Sequence, residues 1–334
     1  MTHIAEPIRP NARLLLVAAA LFSLGALCAP SALAQQVPSR FYWKTLSGAS
    51  ALPLIVNSTS GNTNPFDPAL IVSPGSKIGA TVALAGYGRT FSLFNRSALA
   101  AILVPMGRIS GDVIVAGKTI SQSTNGFGNP VFELDTNVLG PPAQKNLPDV
   151  LRYTPGFSVD VLADLAFPIG QYDSTQPLNI GQHRWYGRVA APIVLQLGPW
   201  VPGQRTTLEF LPAVWLFGPN NNYLGQTLKN DPLFQLDAHL TRDFTENVWG
   251  SFDIVWYYGD EPNINGVAGK KLNNFGAGPT LGYKINDDLN LTLSYKSTFT
   301  GSSSTDLRMD SFMASLVYGW HPLIEGARRL KSGN

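Results

Sequence analysis

Cysteine is nearly absent: the 334 residues hold one, Cys28, and it falls in the first 34 positions. Those positions read as a secretory leader. Arg9 and Arg13 form a positive start, residues 14–27 a short apolar core, and Ala32-Leu33-Ala34 a small-x-small cleavage site. Leu27, just before Cys28, is too large for lipoprotein processing. The chain after residue 34 therefore has no disulfide framework and no thiol chemistry.

Charge is scarce as well, at 14% of residues, against about 25% in an average globular protein. Lys and Arg total 24 and Asp and Glu 22; removing Arg9, Arg13 and Glu6 leaves 22 and 21. This balance argues against a nucleic-acid partner or a polybasic membrane-surface role. Beyond residue 35 no run approaches the ~18 apolar residues that a spanning helix needs. Histidines number four. His3 lies in the leader, His183 in a loop, His239 on a strand and His321 near the end, none beside a serine elbow. The chain reads as non-enzymatic, without cofactor or metal: no paired-His or acidic-loop spacing occurs, and no helix follows Gly86-Tyr87-Gly88 to make a phosphate loop.

Glycine (32 residues) and aromatics (10%) are plentiful, and the mean hydropathy is only +0.04. An exported, weakly charged chain without spanning helices must satisfy its backbone in lipid by closing a sheet. The pattern agrees. In residues 231–258, Phe234, Leu236, Ala238 and Leu240 alternate with Gln235, Asp237, His239 and Thr241. After a polar turn, Phe252, Ile254, Trp256 and Tyr258 alternate with Ser251, Asp253, Val255 and Tyr257. Period two means strands.

Similar segments recur at 51–58, 78–87, 97–106, 126–138, 157–167, 184–197, 206–217, 274–284, 289–298 and 311–320. The reading is an all-β, transmembrane, antiparallel up-and-down β-barrel of about 12 strands, 10–14 being the range. The connections alternate between long polar loops, such as 62–68, 118–125, 171–183, 219–230 and 260–271, and short turns, as outer loops and periplasmic turns do. The 139–155 link is long on the periplasmic side and has room for a short helix. Pro105, Pro192, Pro212 and Pro279 fall inside strands, where bulges are expected. The domains follow: leader 1–34, periplasmic N-terminal arm 35–50 with Phe41, Tyr42 and Trp43 as an anchor, barrel 51–320, and tail 321–334.

Residues opposite the apolar face line the lumen. Arg184, Arg188 and His239 are expected to face Glu209, Asp237 and Asp253 at a constriction, with Tyr186, Trp215 and Tyr257 as aromatic surface. Glu133, Asp135, Asp160, Asp164, Lys284 and Lys296 share that face. Trp185, Trp256, Tyr258, Tyr318 and Trp320, with Phe210, Phe252 and Tyr283, are expected to form lipid-facing girdles.

Gly86-Tyr87-Gly88-Arg89-Thr90-Phe91 with Leu93-Phe94-Asn95-Arg96-Ser97-Ala98 resembles the putative MetA-pathway of phenol degradation family. Pro105, Ser110-Gly111, Gly126-Phe127-Gly128-Asn129-Pro130, Pro168-Ile169-Gly170-Gln171-Tyr172, Leu178-Asn179-Ile180-Gly181, Arg184-Trp185 and Asp231-Pro232 extend the resemblance over nearly the whole exported chain. It implies a Gram-negative, porin-like, outer-membrane transporter barrel associated with degradation of aromatic compounds. Asn129 stands where members often carry Asp. The chain also runs fourteen residues past Trp320, whereas such barrels usually end on an aromatic insertion signal. Two functions stay open. One is a passive transporter or channel for small solutes, aromatic or hydrophobic ones included. The other is a structural or adhesin-like barrel with a salt-bridged, closed lumen. Expected partners are outer-membrane lipid, a small-molecule solute and the barrel-insertion machinery, with the oligomeric state unknown.

Overall fold

The computed structural model describes residues 37–115, 117–299 and 303–332. The leader, its cleavage site and residues 35–36 of the arm lie outside them. Eighteen strands are present among the described residues: β1 Ser50–Gly61, β2 Lys77–Leu93, β3 Arg96–Val115, β4 Lys118–Phe127, β5 Val131–Leu139, β6 Phe157–Ala166, β7 Tyr186–Ala190, β8 Ile193–Gln196 and β9 Thr206–Phe217, followed by β10 Asn220–Tyr223, β11 Gln226–Lys229, β12 Leu233–Asp243, β13 Val248–Gly259, β14 Asn263–Ile264, β15 Val267–Ala268, β16 Leu272–Lys284, β17 Leu289–Thr298 and β18 Met309–Trp320.

Twelve staves close the barrel, β7 and β8 counting as one. Each pairs antiparallel with its neighbour in the chain, and β18 returns to β1 with Ser50 opposite Trp320 and Gly61 opposite Met309. No spanning strand is left with an edge, which is the condition for a sheet in lipid. The strands alternate exposed and buried residues; β18, for example, exposes Phe312, Leu316 and Tyr318 and buries Ser311, Met313, Ser315 and Val317.

The outer aromatics form two bands. Trp185 lies 5.3 Å from Phe167, and Trp256 stacks on Phe275 at 5.6 Å and touches Tyr258, all near the long-loop end. Tyr318, Trp320 and Tyr87 cluster at the other end.

The 118–125 loop differs from expectation: it belongs to strand β4, which pairs with the far half of β3 as a projecting hairpin, Val115 opposite Lys118. Alternation of exposed and half-buried residues along β4 shows a ribbon rather than a stave, so no closure signal distinguishes it in sequence. The loops 219–230 and 260–271 likewise hold short strands, which pair into a separate four-stranded sheet, β10-β11-β14-β15.

The β2–β3 turn is tight, with Phe94 and Asn95 at φ 48° and 65°. Positive φ at both central residues suits the twist of a two-residue hairpin. The 139–155 link holds helix α1, Leu147–Arg152, capped reciprocally by Asn146 and Asp149.

The prolines behave unequally. Pro192 divides β7 from β8, and β17 pairing skips the position of Pro279, but Pro105 and Pro212 stand in unbroken registers opposite Leu84 and Leu236. A proline lacks only the donor; the carbonyls still serve, Pro105 accepting from Gly128 N at 2.7 Å and Pro212 from Ala191 N at 3.0 Å. Bulges at all four were therefore unnecessary. The tail folds as helix α2, Pro322–Ser332, against the barrel mouth, with Ile324 buried and Arg328 holding Asp288 at 2.6 and 2.9 Å.

Candidate functional site

The lumen is filled at three levels. At the turn end, residues 37–49 enter the barrel, and Val37, Phe41, Tyr42, Trp43 and Leu46 are buried there against Leu99, Leu162, Val194 and Leu211 or the strand walls around them. The aromatic triplet, read from sequence as an anchor, is thus interior packing.

Polar groups of this arm meet strand carboxylates. Ser39 Oγ donates to Asp253 Oδ1 at 2.8 Å, and Arg40 N donates to Glu209 Oε2 at 2.8 Å. Trp43 Nε1 donates to Glu209 Oε1 at 2.8 Å, and Arg40 Nη1 reaches Asp243 Oδ1 at 2.6 Å. The Arg40 guanidinium lies between the Trp43 and Trp249 rings, 4.2 and 4.3 Å from their centroids. Burial draws Arg40 down to about 10, against the pull of Asp243, so it stays charged at neutral pH. Lys44 pairs with Asp160 and lies 3.5 Å from Asp135. Residues 37–46 make no backbone-to-backbone hydrogen bond with a barrel strand among the described residues; their backbone bonds are local, such as Trp43 N to Arg40 O.

The middle level is a charged layer built by cross-strand register. Glu133 faces Asp164, Asp164 faces Arg188, and Arg188 faces Trp215 on successive staves. Arg188 Nε donates to Asp164 Oδ2 at 2.7 Å, with its guanidinium 5.0 Å from the Trp215 ring. Trp215 Nε1 donates to Gln235 Oε1 at 2.7 Å, and Gln235 Nε2 to Asp237 Oδ2 at 2.6 Å. His239 Nδ1 lies 2.8 Å from Asp253 Oδ1, with Lys296 Nζ at 3.7 Å from Oδ2. Both Glu133 oxygens and Asp237 Oδ1 are buried without a hydrogen-bond partner among the described residues. Such groups are costly unless compensated.

At the long-loop end, residues 62–72 fold inward. Arg184 holds Asp67 through Nη2 at 2.8 and 3.0 Å and bonds Asn230, whose Nδ2 donates to Asp260 Oδ1 at 2.7 Å. In the loop after β13, burial lifts the Asp260 carboxyl to about 7, with Asp67 and Asp231 adding and Asn230 and Arg184 opposing. Beside this tier Gly128, Gly170 and Gly181 stack backbone on backbone. Asn129 Oδ1 accepts from Gly170 N at 3.2 Å and Gln182 N at 3.3 Å.

Of the residues named from sequence, Arg184, Tyr186, Arg188, Glu209, Trp215, Asp237, His239, Asp253 and Tyr257 all point inward and all are buried. They do not meet at one constriction. Arg184 belongs to the outer tier with Asp67, and Arg188 to the middle with Asp164. His239 joins Asp253, while Glu209 is taken by the arm. Tyr186 and Trp215 lie 6.4 Å apart with tilted rings. Sequence reasoning passed over Ser39, Arg40, Lys44, Asp67, Arg205 and Asp243, all in segments read as arm, loop or turn. The one signal was composition: two cations beside an aromatic triplet in an otherwise polar arm.

A profile of the family described as "Putative MetA-pathway of phenol degradation" matches residues 57–312. Among solved structures, the fold is similar to an outer membrane channel from Pseudomonas putida F1, with a TM-score of 0.67 at 13% identity, covering 86% of this chain and 100% of that one. It is also similar to the beta domain of the Bordetella autotransporter BrkA, with a TM-score of 0.49 at 11% identity, covering 81% and 100%. At such identities the likeness is one of fold. No curated protein sequence matches the chain.

Proposed function

The chain belongs to the family described as "Putative MetA-pathway of phenol degradation", and on that premise we propose that it is a transporter of the bacterial outer membrane. It passes small solutes, aromatic or hydrophobic ones among them, through a lumen that its own N-terminal arm closes at rest. The leader delivers the chain across the inner membrane, and the barrel-insertion machinery places it. No step of this function is chemical.

One observation carries the reading. The arm fills the turn end of the lumen, and residues 37–46 are held to the strands through side chains, with no backbone-to-backbone hydrogen bond to a strand among the described residues. It can therefore leave without opening the wall, because every ladder bond of the twelve staves stays made. The aromatic lining at Tyr186, Trp215 and Tyr257 supports a preference for flat, apolar solutes, which stack on such faces.

The same filled interior favours a second reading, a structural or adhesin-like barrel that never opens. A disulfide lock separates them. Ser39 Oγ and Ser251 Oγ are 2.6 Å apart, and the exported chain has no native cysteine. Ser39→Cys with Ser251→Cys should bridge arm to wall when oxidised. In a planar bilayer the oxidised protein is expected to be silent and the reduced protein to show discrete open levels. Silence in both states, with deletion of residues 37–46 also silent, establishes the closed barrel instead.

A further inference from the structure

The membrane face of the barrel carries a groove of about 560 Å³ where β12, β13, β16, β17 and β18 run side by side. Leu240, Phe252, Leu281, Leu293, Tyr295 and Phe312 wall it. It exists because two adjacent outward positions present almost nothing. Gly250 has no side chain, and the Phe244 ring lies over the vacated space, 2.8 Å from where a Cβ would stand. On the next strand Pro279 offers only its ring. Pairing with β17 there passes from Ala277–Ser297 to Thr280–Ser294.

Ser251, Thr280 and Ser294 contribute the floor of the groove, with their side chains turned to the lumen, where the Ser251 and Thr280 hydroxyls donate to Asp253. Arg242 stands at the groove's turn-end rim, opposite Gly250 in the β12–β13 register. It is exposed, with Nη1 on Thr206 Oγ1 at 2.7 Å. The combination is specific: greasy walls and a cation where the wall meets the periplasmic interface.

We propose that this groove binds one phospholipid of the periplasmic leaflet. The phosphate rests on Arg242, and an acyl chain lies along Leu240, Phe252, Leu281 and Leu293. The volume is within the ~300–1,000 Å³ usual for small-molecule sites. A solute in transit has no use for Arg242, and ordinary annular lipid has no use for a slot. Charge complementarity at the rim therefore selects the phospholipid.

Native mass spectrometry of the full chain in a mild non-ionic detergent, with phosphatidylglycerol added, tests this. One lipid per barrel is expected to survive gentle activation. Arg242→Gln should weaken retention roughly fivefold, the worth of one cation near a membrane surface. Leu293→Trp, which fills the slot, should abolish retention, while Leu316→Trp, on the same membrane face away from it, should not. Heat-modifiable gel mobility verifies that each variant is a folded barrel. The proposal is overturned if the unmodified protein retains no lipid, if Leu293→Trp retains it as before, or if Arg242→Gln binds equally well.

Discussion

Trp43 and Glu209 are 166 residues apart in the chain and 2.8 Å apart in the barrel, the indole N–H donating to the carboxylate. Glu209 accepts from Arg40 N and Thr207 Oγ1 as well, at 2.8 and 2.7 Å. One strand carboxylate thereby fastens the arm that fills the turn end of the lumen. Its partner strand does the same through Asp243, shared between Arg40 and Arg205 at 2.6 and 2.8 Å.

Removing one member of a buried ion pair costs about 3–5 kcal/mol, because the other charge is left uncompensated. Arg40→Ala places that cost on the arm alone, since Arg205 still meets Asp243. The expected outcome is more frequent open levels in a planar bilayer and faster proteolysis within residues 37–46, with the unfolding midpoint of the barrel unchanged. A lowered barrel midpoint with no change in opening would contradict the division between plug and wall.

Asp253 collects donors from four directions: Ser39, Ser251 and His239 on Oδ1, and Thr280 on Oδ2, with Lys296 beyond. Asp253→Ala strands all of them in the lumen. It should destabilise the barrel itself, by about 3–5 kcal/mol in urea. Asp253→Asn, which keeps an acceptor, should lose less. Equal losses from the two would show that the charge, rather than the acceptor count, matters.

The outer tier should respond to pH. Burial lifts the folded Asp260 carboxyl to about 7, above its unfolded value of roughly 4. A raised value means that the folded form holds its proton more tightly. Its contribution is complete below the unfolded value and is lost as pH rises through about 7. Amide exchange in residues 62–72 and 260–271, corrected for intrinsic rates, should therefore accelerate between pH 5 and pH 8. Asp260→Asn keeps an acceptor for Asn230 and should flatten that dependence. A profile unaltered by this substitution would sink the assignment.

Gly181 lies so close to Gly170 that a Cβ would come 2.4 Å from the Gly170 carbonyl carbon, and Gly170 is similarly pressed on Gly128. Gly181→Ala should cost about 1–3 kcal/mol by overpacking, read as a lower denaturant midpoint. Gly117→Ala fills empty space instead but must hold φ 77°, so its cost is one of backbone strain in a projecting hairpin. If Gly181→Ala is silent, the stacked backbone is not a packing constraint.

Much of the barrel was legible because its physics is local. In 231–258 the alternation of Leu236, Ala238 and Leu240 with Asp237, His239 and Thr241 assigns each side chain to lipid or lumen with no knowledge of the partner strand. Helix α1 was legible as a gap too long for a turn. The ribbon β4 was not, because pairing beyond the membrane obeys the same period without burying either face. Ile78, Ala80, Val82 and Leu84 show a further limit: these apolar residues of β2 face inward. Ile78, Ala80 and Val82 pack under Phe66, Leu178 and Ile180 from the two inserted loops, so hydrophobicity alone misstates their side.

By itself the sequence determined a closed, antiparallel barrel and the inward direction of Arg184, Arg188, Glu209, Asp237, His239 and Asp253, because strand period and the demand for paired backbone act residue by residue. Only the tertiary structure decided who meets whom: Arg184 with Asp67, Arg188 with Asp164, Glu209 with Trp43. Those pairings depend on strand stagger and on segments that re-enter the lumen from both ends, and neither leaves a periodic mark on the chain.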